Sequence, residues 1–322
     1  MELNNIYKKA IVTGGAGFVG SHLVEELLDS GLEVVSIDDF SAGKMKNLDH
    51  LSSRPGLKIV RADISDRSSV EPFMDGVDVI FNNAASKKNI CLDNPERDLE
   101  VNARGTLIML ELAKKYGVKK FVHASTGSVY GEPSLFPQTE EHPLDPVSYY
   151  GVSKLAGERY VILYSKLFGL DTTCLRYFHV YGPRQESNEF GGVVSIFIRN
   201  MLNGENLTIF GDGTQQRSFT WVKDIVKANI LVATKPEANG ECYNCASGIT
   251  VTINELAEFI YNNMNSNSGT IIEHGDWLIG DIMKFDVSND KIRSLGLNFE
   301  TDFWEKLRIT IAEMQTYLST KV

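Results

Sequence analysis

The stretch VTGGAGFVGSHL, residues 12–23, sets Gly14, Gly17 and Gly20 between an apolar run (KAIVTG) and an amphipathic one (GSHLVEELLDSG). Glycines in those places let a backbone turn tightly out of a strand and approach a pyrophosphate closely. The helix that follows offers free N–H groups and positive potential at its first turn. The order strand, loop, helix is the one a dinucleotide-binding fold requires. Asp38 closes the second apolar run, where a carboxylate accepts both hydroxyls of an adenine ribose and repels a 2′-phosphate. That favours NAD over NADP, and Asp39 adds to the repulsion. Asp63, in RADIS, ends the third run. It stands where an adenine amino group would be met, and equally where a helix-starting acid would stand.

The same alternation continues through LKIVRAD, VDVIFNNAA, KKFVHAS and LDTTCLRYF, with helical segments NARGTLIMLELAKKYG and SYYGVSKLAGERYVILYSKLFG between them. Strands alternating with helices imply an α/β fold, a doubly wound parallel sheet of Rossmann type. After about residue 180 the pattern becomes a long polar loop, a helix (GVVSIFIRNMLNG), two short strands around a Gly turn (LTIFGDGTQQRSFTWV) and further helices. The expected division is residues 1–180 as the NAD-binding domain and 181–322 as a smaller C-terminal α/β substrate lobe. The boundary is soft because the chain crosses between the two.

A net charge of −10 argues against nucleic acid or an anionic membrane as partner. No apolar stretch reaches the roughly 18–20 residues needed to span a bilayer, and the N-terminus has no signal-peptide pattern, so a cytoplasmic protein is expected. Cys242 and Cys245 form a CxxC, but on a strand these positions point to opposite faces. No second CxxC or CxxH completes a zinc site; they read as buried apolar residues, and no metal is expected.

Tyr150 and Lys154 form Y-x-x-x-K, which a helix brings to one face. A neighbouring ammonium would lower the phenol pKa and make it a base. Preceding them is STGSVYG, residues 125–131, with three hydroxyls before its Tyr and no acid. With the Gly loop, these segments resemble the extended short-chain dehydrogenase/reductase family, and within it the NAD-dependent nucleotide-sugar epimerases and dehydratases. The similarity runs over nearly the whole chain, through RYFHVYGPRQ, IFGDGTQQRSFTWVKD and YNCASGITVTINEL.

The resemblance implies roles. Tyr150 would take the sugar 4-hydroxyl proton, Lys154 would hold the nicotinamide ribose, and Thr126 would hydrogen-bond the reacting oxygen. Cofactor contacts would come from Gly14, Gly17, Phe18, Val19, Gly20, Asp38, Asp63, Ile64, Ala84, Ala85, Lys87, Asn102 and Phe178. Substrate contacts would come from Lys88, Ser128, His179, Val193, Arg217 and Asp281. Taken alone, Lys87 reads as a surface lysine and Arg217 as a strand-edge arginine. The family's dehydratases carry Asp and Glu immediately after the Thr, to expel the C6 hydroxyl; its decarboxylases carry the Glu. Here those positions are Gly127 and Ser128. A hydroxyl of ordinary pKa serves such chemistry poorly, which leaves 4-epimerisation through a transient 4-keto sugar, with a UDP-hexose as the expected substrate.

Competing readings are a C4 oxidase or 4-keto reductase, a dehydratase of the same family, and a non-catalytic NAD-binding protein. Three positions depart from the family pattern: His179 stands for an Asn, Ser218 for an Asp, and Leu278 for an Arg. Lys88 or His179 would supply the lost phosphate cation. The helical segments near 95–116 and 148–168 would pair into a homodimer.

Overall fold

Alternate residues of the first strand, β1 (Lys9–Thr13), go to opposite cores: Ala10 and Val12 to one, Ile11 to the other. A strand apolar on both faces must be covered on both faces, and the rest of the topology supplies that cover. The computed structural model describes residues 3–86, 88–188, 191–264, 269–277 and 283–319, without the side chains of 88–90. Strands β2 (Glu33–Asp38), β3 (Leu57–Arg61), β4 (Val79–Asn82), β5 (Lys120–Thr126), β6 (Thr172–Tyr177) and β7 (Glu241–Cys245) join β1 in one parallel sheet. Its order is β7-β6-β5-β4-β1-β2-β3. The order reverses between β1 and β4, so a crevice opens at their carboxyl ends.

Helix α1 (Phe18–Asp29) packs Leu23, Val24 and Leu27 on one face of the sheet. Helices α2 (Thr106–Tyr116) and α3 (Tyr149–Phe168) pack on the other through Ile108, Met109, Leu112 and Val161. Leading into α2, a helix at Pro95–Leu99 continues through a π-helical turn at Glu100–Gly105.

Beyond β6 the chain builds a third core from α4 (Val193–Asn203) and later helices. It then returns through α5 (Val222–Thr234), beside α1, and through β7 at the sheet edge. Helices α6 (Ile253–Asn263) and α7 (Phe303–Ser319) complete that third core. The two expected strands around the Gly turn form at Leu207–Phe210 and Gln216–Ser218, but each finds another partner. The first pairs with Ile272–Gly275 and the second with Thr250–Thr252. Cys245 packs in one core and Cys242 against the other, where it sits in register with Cys174; all are free thiols.

A buried ion pair ties α3 to the sheet. Arg176 Nη2 on β6 lies 2.6 Å from Glu158 Oε1, and Nε donates to Oε2 at 3.0 Å. Ser125 Oγ on β5 donates to Oε2 at 2.7 Å. Burial works against the Glu158 carboxylate, but the guanidinium and the hydroxyl outweigh it and hold its pKa below the ordinary 4.5. Its contribution is therefore present above pH 4.5 and is lost as pH falls through the folded value. Arg176→Met should destabilise the fold at pH 7 by about 3–5 kcal/mol, because it strands a buried carboxylate. Urea unfolding measures this; an unchanged midpoint would contradict the assignment.

Candidate active site

The Gly loop closes on itself and on the neighbouring strand. Gly14 has φ +66°, and a Cβ there would lie 2.9 Å from the Ala84 backbone; one on Gly20 would lie 2.0 Å from the Gly14 carbonyl oxygen. Helix α1 starts with Gly17 as its cap and, among the described residues, no side-chain oxygen on its first amides. The loop borders a cavity of about 600 Å³ at the crevice between β1 and β4. That is within the usual size of a cofactor site. Of the expected cofactor residues, Gly14, Gly17, Phe18, Val19, Gly20, Asp38, Asp63, Ile64, Ala84, Ala85, Tyr150 and Lys154 line it. A cradle too tight for any Cβ, open helix amides and an acid at the end of β2 fit a dinucleotide.

The two neighbouring acids differ. Asp38 is buried and accepts from the Ala16 and Phe40 amides, each at 2.9 Å. Burial pushes its pKa up, and these two amides oppose the shift. Asp39 instead bonds Ser41 and lies 3.0 Å from Arg97 Nη2. Its charge is shared with Arg97, whereas no such cation stands against Asp38 among the ion pairs of the described residues. Asp63 accepts from the Ser65 amide and hydroxyl, and Arg97 Nη2 lies 2.7 Å from it. The following helix, Arg67–Val70, is capped by Asp66 and not by Asp63.

At the other end of the cavity, Ser148 caps α3 by accepting from the Gly151 amide at 3.1 Å, which puts Tyr150 in the first turn. The Thr126 hydroxyl stands close enough to the Tyr150 phenol to favour its ionised form. Lys154 is buried, and its ammonium donates to the Ala124 carbonyl. Tyr150 and Lys154 both line the cavity, and Thr126 stands beside the phenol. The expected lowering of the phenol pKa does not appear: burial pushes Tyr150 up to about 12, with the Thr126 hydroxyl opposing. Burial also takes Lys154 down to about 8. The charges of Asp98 and Cys91 add to the rise at Tyr150, and the only opposing influence on the phenol is Thr126.

Asn102 lies in the π-helical turn and does not line the cavity. Its Oδ1 accepts from the Ser86 amide at 2.9 Å, and its Nδ2 donates to Asp98 at 2.9 Å and Ser153 Oγ at 3.0 Å. It locks the loop after β4 to the turn of α3 that carries Lys154. Phe178 is also absent from the lining; Tyr177 is there instead. Phe178 is buried, stacked on Tyr130 at 6.2 Å. A Cβ on Gly127 would meet its ring at 2.4 Å, so position 127 has no room for a side chain while Phe178 stays put. Ser128 is the cap partner of Thr126, its amide donating to Thr126 Oγ1 at 3.2 Å.

Of the expected substrate residues, His179 and Arg217 share Phe285. The imidazole is 4.5 Å from its ring and the guanidinium 5.5 Å. Val193 opens α4. Ser218 is buried, and its hydroxyl has no hydrogen-bond partner among the described residues. Lys87, Asp281, Leu278 and the side chain of Lys88 lie outside the described residues. Arg97, Tyr177, Gln185 and Glu186 line the cavity without having been expected there. Arg97, Gln185 and Glu186 stand in polar segments after predicted strands and Tyr177 ends such a strand, a signal many other residues share.

The model of the NAD dependent epimerase/dehydratase family matches residues 10–246. The chain belongs to this family. A UDP-glucose 4-epimerase of Thermotoga maritima, solved with UDP-glucose, has a TM-score of 0.90 and is 34% identical; the match covers 97% of this chain and 100% of that one. A UDP-glucose 4-epimerase of Mycolicibacterium smegmatis is 39% identical over 253 residues, 77% of this chain and 80% of that protein. UDP-glucuronic acid decarboxylase 1 of Xenopus tropicalis is 40% identical over 233 residues, 70% of this chain and 53% of that protein. As a member of the NAD-dependent family, this chain uses NAD as its cofactor.

Tyr150→Phe should lower turnover by roughly 10²–10⁴-fold, the usual share of a general base, with NAD content unchanged. In the parent protein the Lys154 ammonium is lost as pH rises through about 8, so NAD held through that charge should bind more weakly at about pH 9.5 than at about pH 7. An NAD affinity unchanged over that range would contradict the role.

Proposed function

We propose that this chain is a nucleotide-sugar 4-epimerase acting on a UDP-hexose through a transient 4-keto sugar. The observation that carries the reading is the turn after Thr126. Positions 127 and 128 hold Gly and Ser, no acid stands there, and Phe178 fills the space a side chain at 127 would need. Elimination of a C6 hydroxyl needs an acid and a base at that place, whereas epimerisation at C4 needs neither. The relatives named as UDP-glucose 4-epimerases support the same reading.

NAD, when bound, would supply the hydride acceptor and donor that the inversion at C4 needs. The chain's own part is proton and position. Tyr150 takes the 4-hydroxyl proton and gives it back, and Thr126 orients the phenol and the reacting oxygen. Lys154 holds the ribose and supplies positive charge. Asp38 selects the cofactor, with Asp63, Ile64, Ala84 and Ala85 beside it. Arg217 and His179, paired over Phe285, hold the diphosphate and ribose, with Lys88, Ser128, Val193 and Asp281 completing the substrate side. In domain terms, residues 1–180 bind NAD and 181–322 bind the nucleotide-sugar. A C4 oxidase or reductase uses the same three residues and differs in exchanging cofactor with solution. A non-catalytic NAD-binding role is the weaker reading, because Tyr150, Lys154 and Thr126 stand together.

The protein is proposed to be cytoplasmic; no helix among the described residues is long and apolar enough to cross a membrane. It is also proposed to be a homodimer. Tyr149, Val152, Tyr160, Leu163 and Leu167 are exposed at helical spacing along α3. Such a stripe is what a second copy would cover. Light scattering should give the mass of two chains; a single-chain mass at micromolar concentration would contradict it.

The reaction is tested with UDP-, dTDP-, GDP- and CDP-hexoses and no added cofactor, following products by proton NMR and absorbance at 340 nm. A C4-inverted UDP-sugar without NADH accumulation is expected. A 4-keto-6-deoxy product would overturn the argument from positions 127 and 128, and accumulating NADH would favour the oxidase.

A further inference from the structure

Arg97 is the one guanidinium among the described cavity-lining residues. It sits on the short helix Pro95–Leu99, reached from β4, and its amide is held by Asn94 Oδ1 at 3.0 Å. Its two carboxylate partners at the cavity come from the other side of β1. Asp39 follows β2, Asp63 follows β3, and both bind Nη2, at 3.0 and 2.7 Å. Nη1 donates to Ser65 Oγ at 3.0 Å and lies 3.7 Å from Glu100. One side chain therefore joins the crossover after β4 to the ends of β2 and β3, across the crevice that the reversal of strand order leaves open. Asp38, Ala62, Ile64 and Val101 line the same end of the cavity.

We propose that Arg97 is a latch over the adenosine end of the cleft and sets how long NAD stays bound. The inference rests on the reading above, in which the adenosine lies against Asp38 and Asp63 and the cofactor is kept through each catalytic cycle. A planar guanidinium suits the task because it meets several acceptors at fixed angles, which an ammonium does not. Without it, Asp39 and Asp63 face the cleft with no shared cation. Either they repel and the mouth widens, or water fills the gap. Both make release of the adenosine easier. The pairs are about a third exposed, so salt screens them. Retention that depends on the latch must therefore weaken as ionic strength rises.

The test uses the full chain loaded with radiolabelled NAD and chased with unlabelled NAD, at 20 and 500 mM salt. Parent protein should release label faster at high salt. Arg97→Met should release it about tenfold faster at low salt, the scale of one charge-assisted bond lost, and should show little further response to salt. Arg97→Lys should fall between, and Asp39→Asn, which leaves the Asp63 arm, should release more slowly than Arg97→Met. Circular dichroism and thermal unfolding establish that each variant is folded. A salt-insensitive parent rate, or an Arg97→Met rate within twofold of parent, overturns the latch. Asp38→Ala separates the two ideas: if it weakens NAD binding while Arg97→Met changes nothing, the cleft reading stands and the latch falls. If neither substitution matters, the adenosine does not lie at this end and the reading itself fails.

Discussion

The catalytic helix is held by an ion pair that water cannot reach. Tyr150, Lys154 and Glu158 follow one another at four-residue spacing, so one stripe of α3 faces the sheet. At its far end Glu158 takes Nε and Nη2 of Arg176 and the hydroxyl of Ser125. At its near end Lys154 rests on the Ala124 carbonyl, and the phenol stands beside Thr126. Ser125 and Thr126 are consecutive residues of β5. The strand that supplies the reactive hydroxyl therefore also anchors the helix that supplies the base. Moving one without the other would break a buried charged contact, which is costly in a low-dielectric interior.

That rigidity gives the turn after β5 its meaning. Phe178 is fixed by Tyr130, and Tyr130 is fixed by Arg176 and Asn244 through its hydroxyl, at 2.7 and 2.6 Å. The ring cannot easily retreat to admit a side chain at 127. The absence of an acid there is built into the packing and is not a single exchangeable position. A chemistry of hydride and proton at one carbon, without elimination, is what such a turn leaves.

The sequence made the cofactor half of the fold legible because that half is written in local rules. The strand–Gly–helix order, the acid closing β2 and the Y-x-x-x-K spacing each depend on residues close together in the chain. What escaped it depends on partners far apart. Arg97 finds Asp39 and Asp63 only after three strands have been placed side by side. Asn102 and Phe178 are expected at the cofactor and do not line the cavity, since a motif match fixes neighbourhood and not direction. The phenol pKa was misjudged for a related reason: spacing shows the lysine nearby, but not how much water both groups lose on burial. The two strands around the Gly turn were seen, and their partners were not, because strand pairing is non-local.

The central claim is that the hydrogen leaving C4 comes back to the same carbon within one bound cofactor. A UDP-hexose deuterated at C4, turned over to equilibrium without added NAD, tests it most directly. The account predicts that both C4 epimers keep their deuterium in full, with none in solvent or in free NADH. Loss of the label from C4, or its appearance in a released nicotinamide, would contradict it.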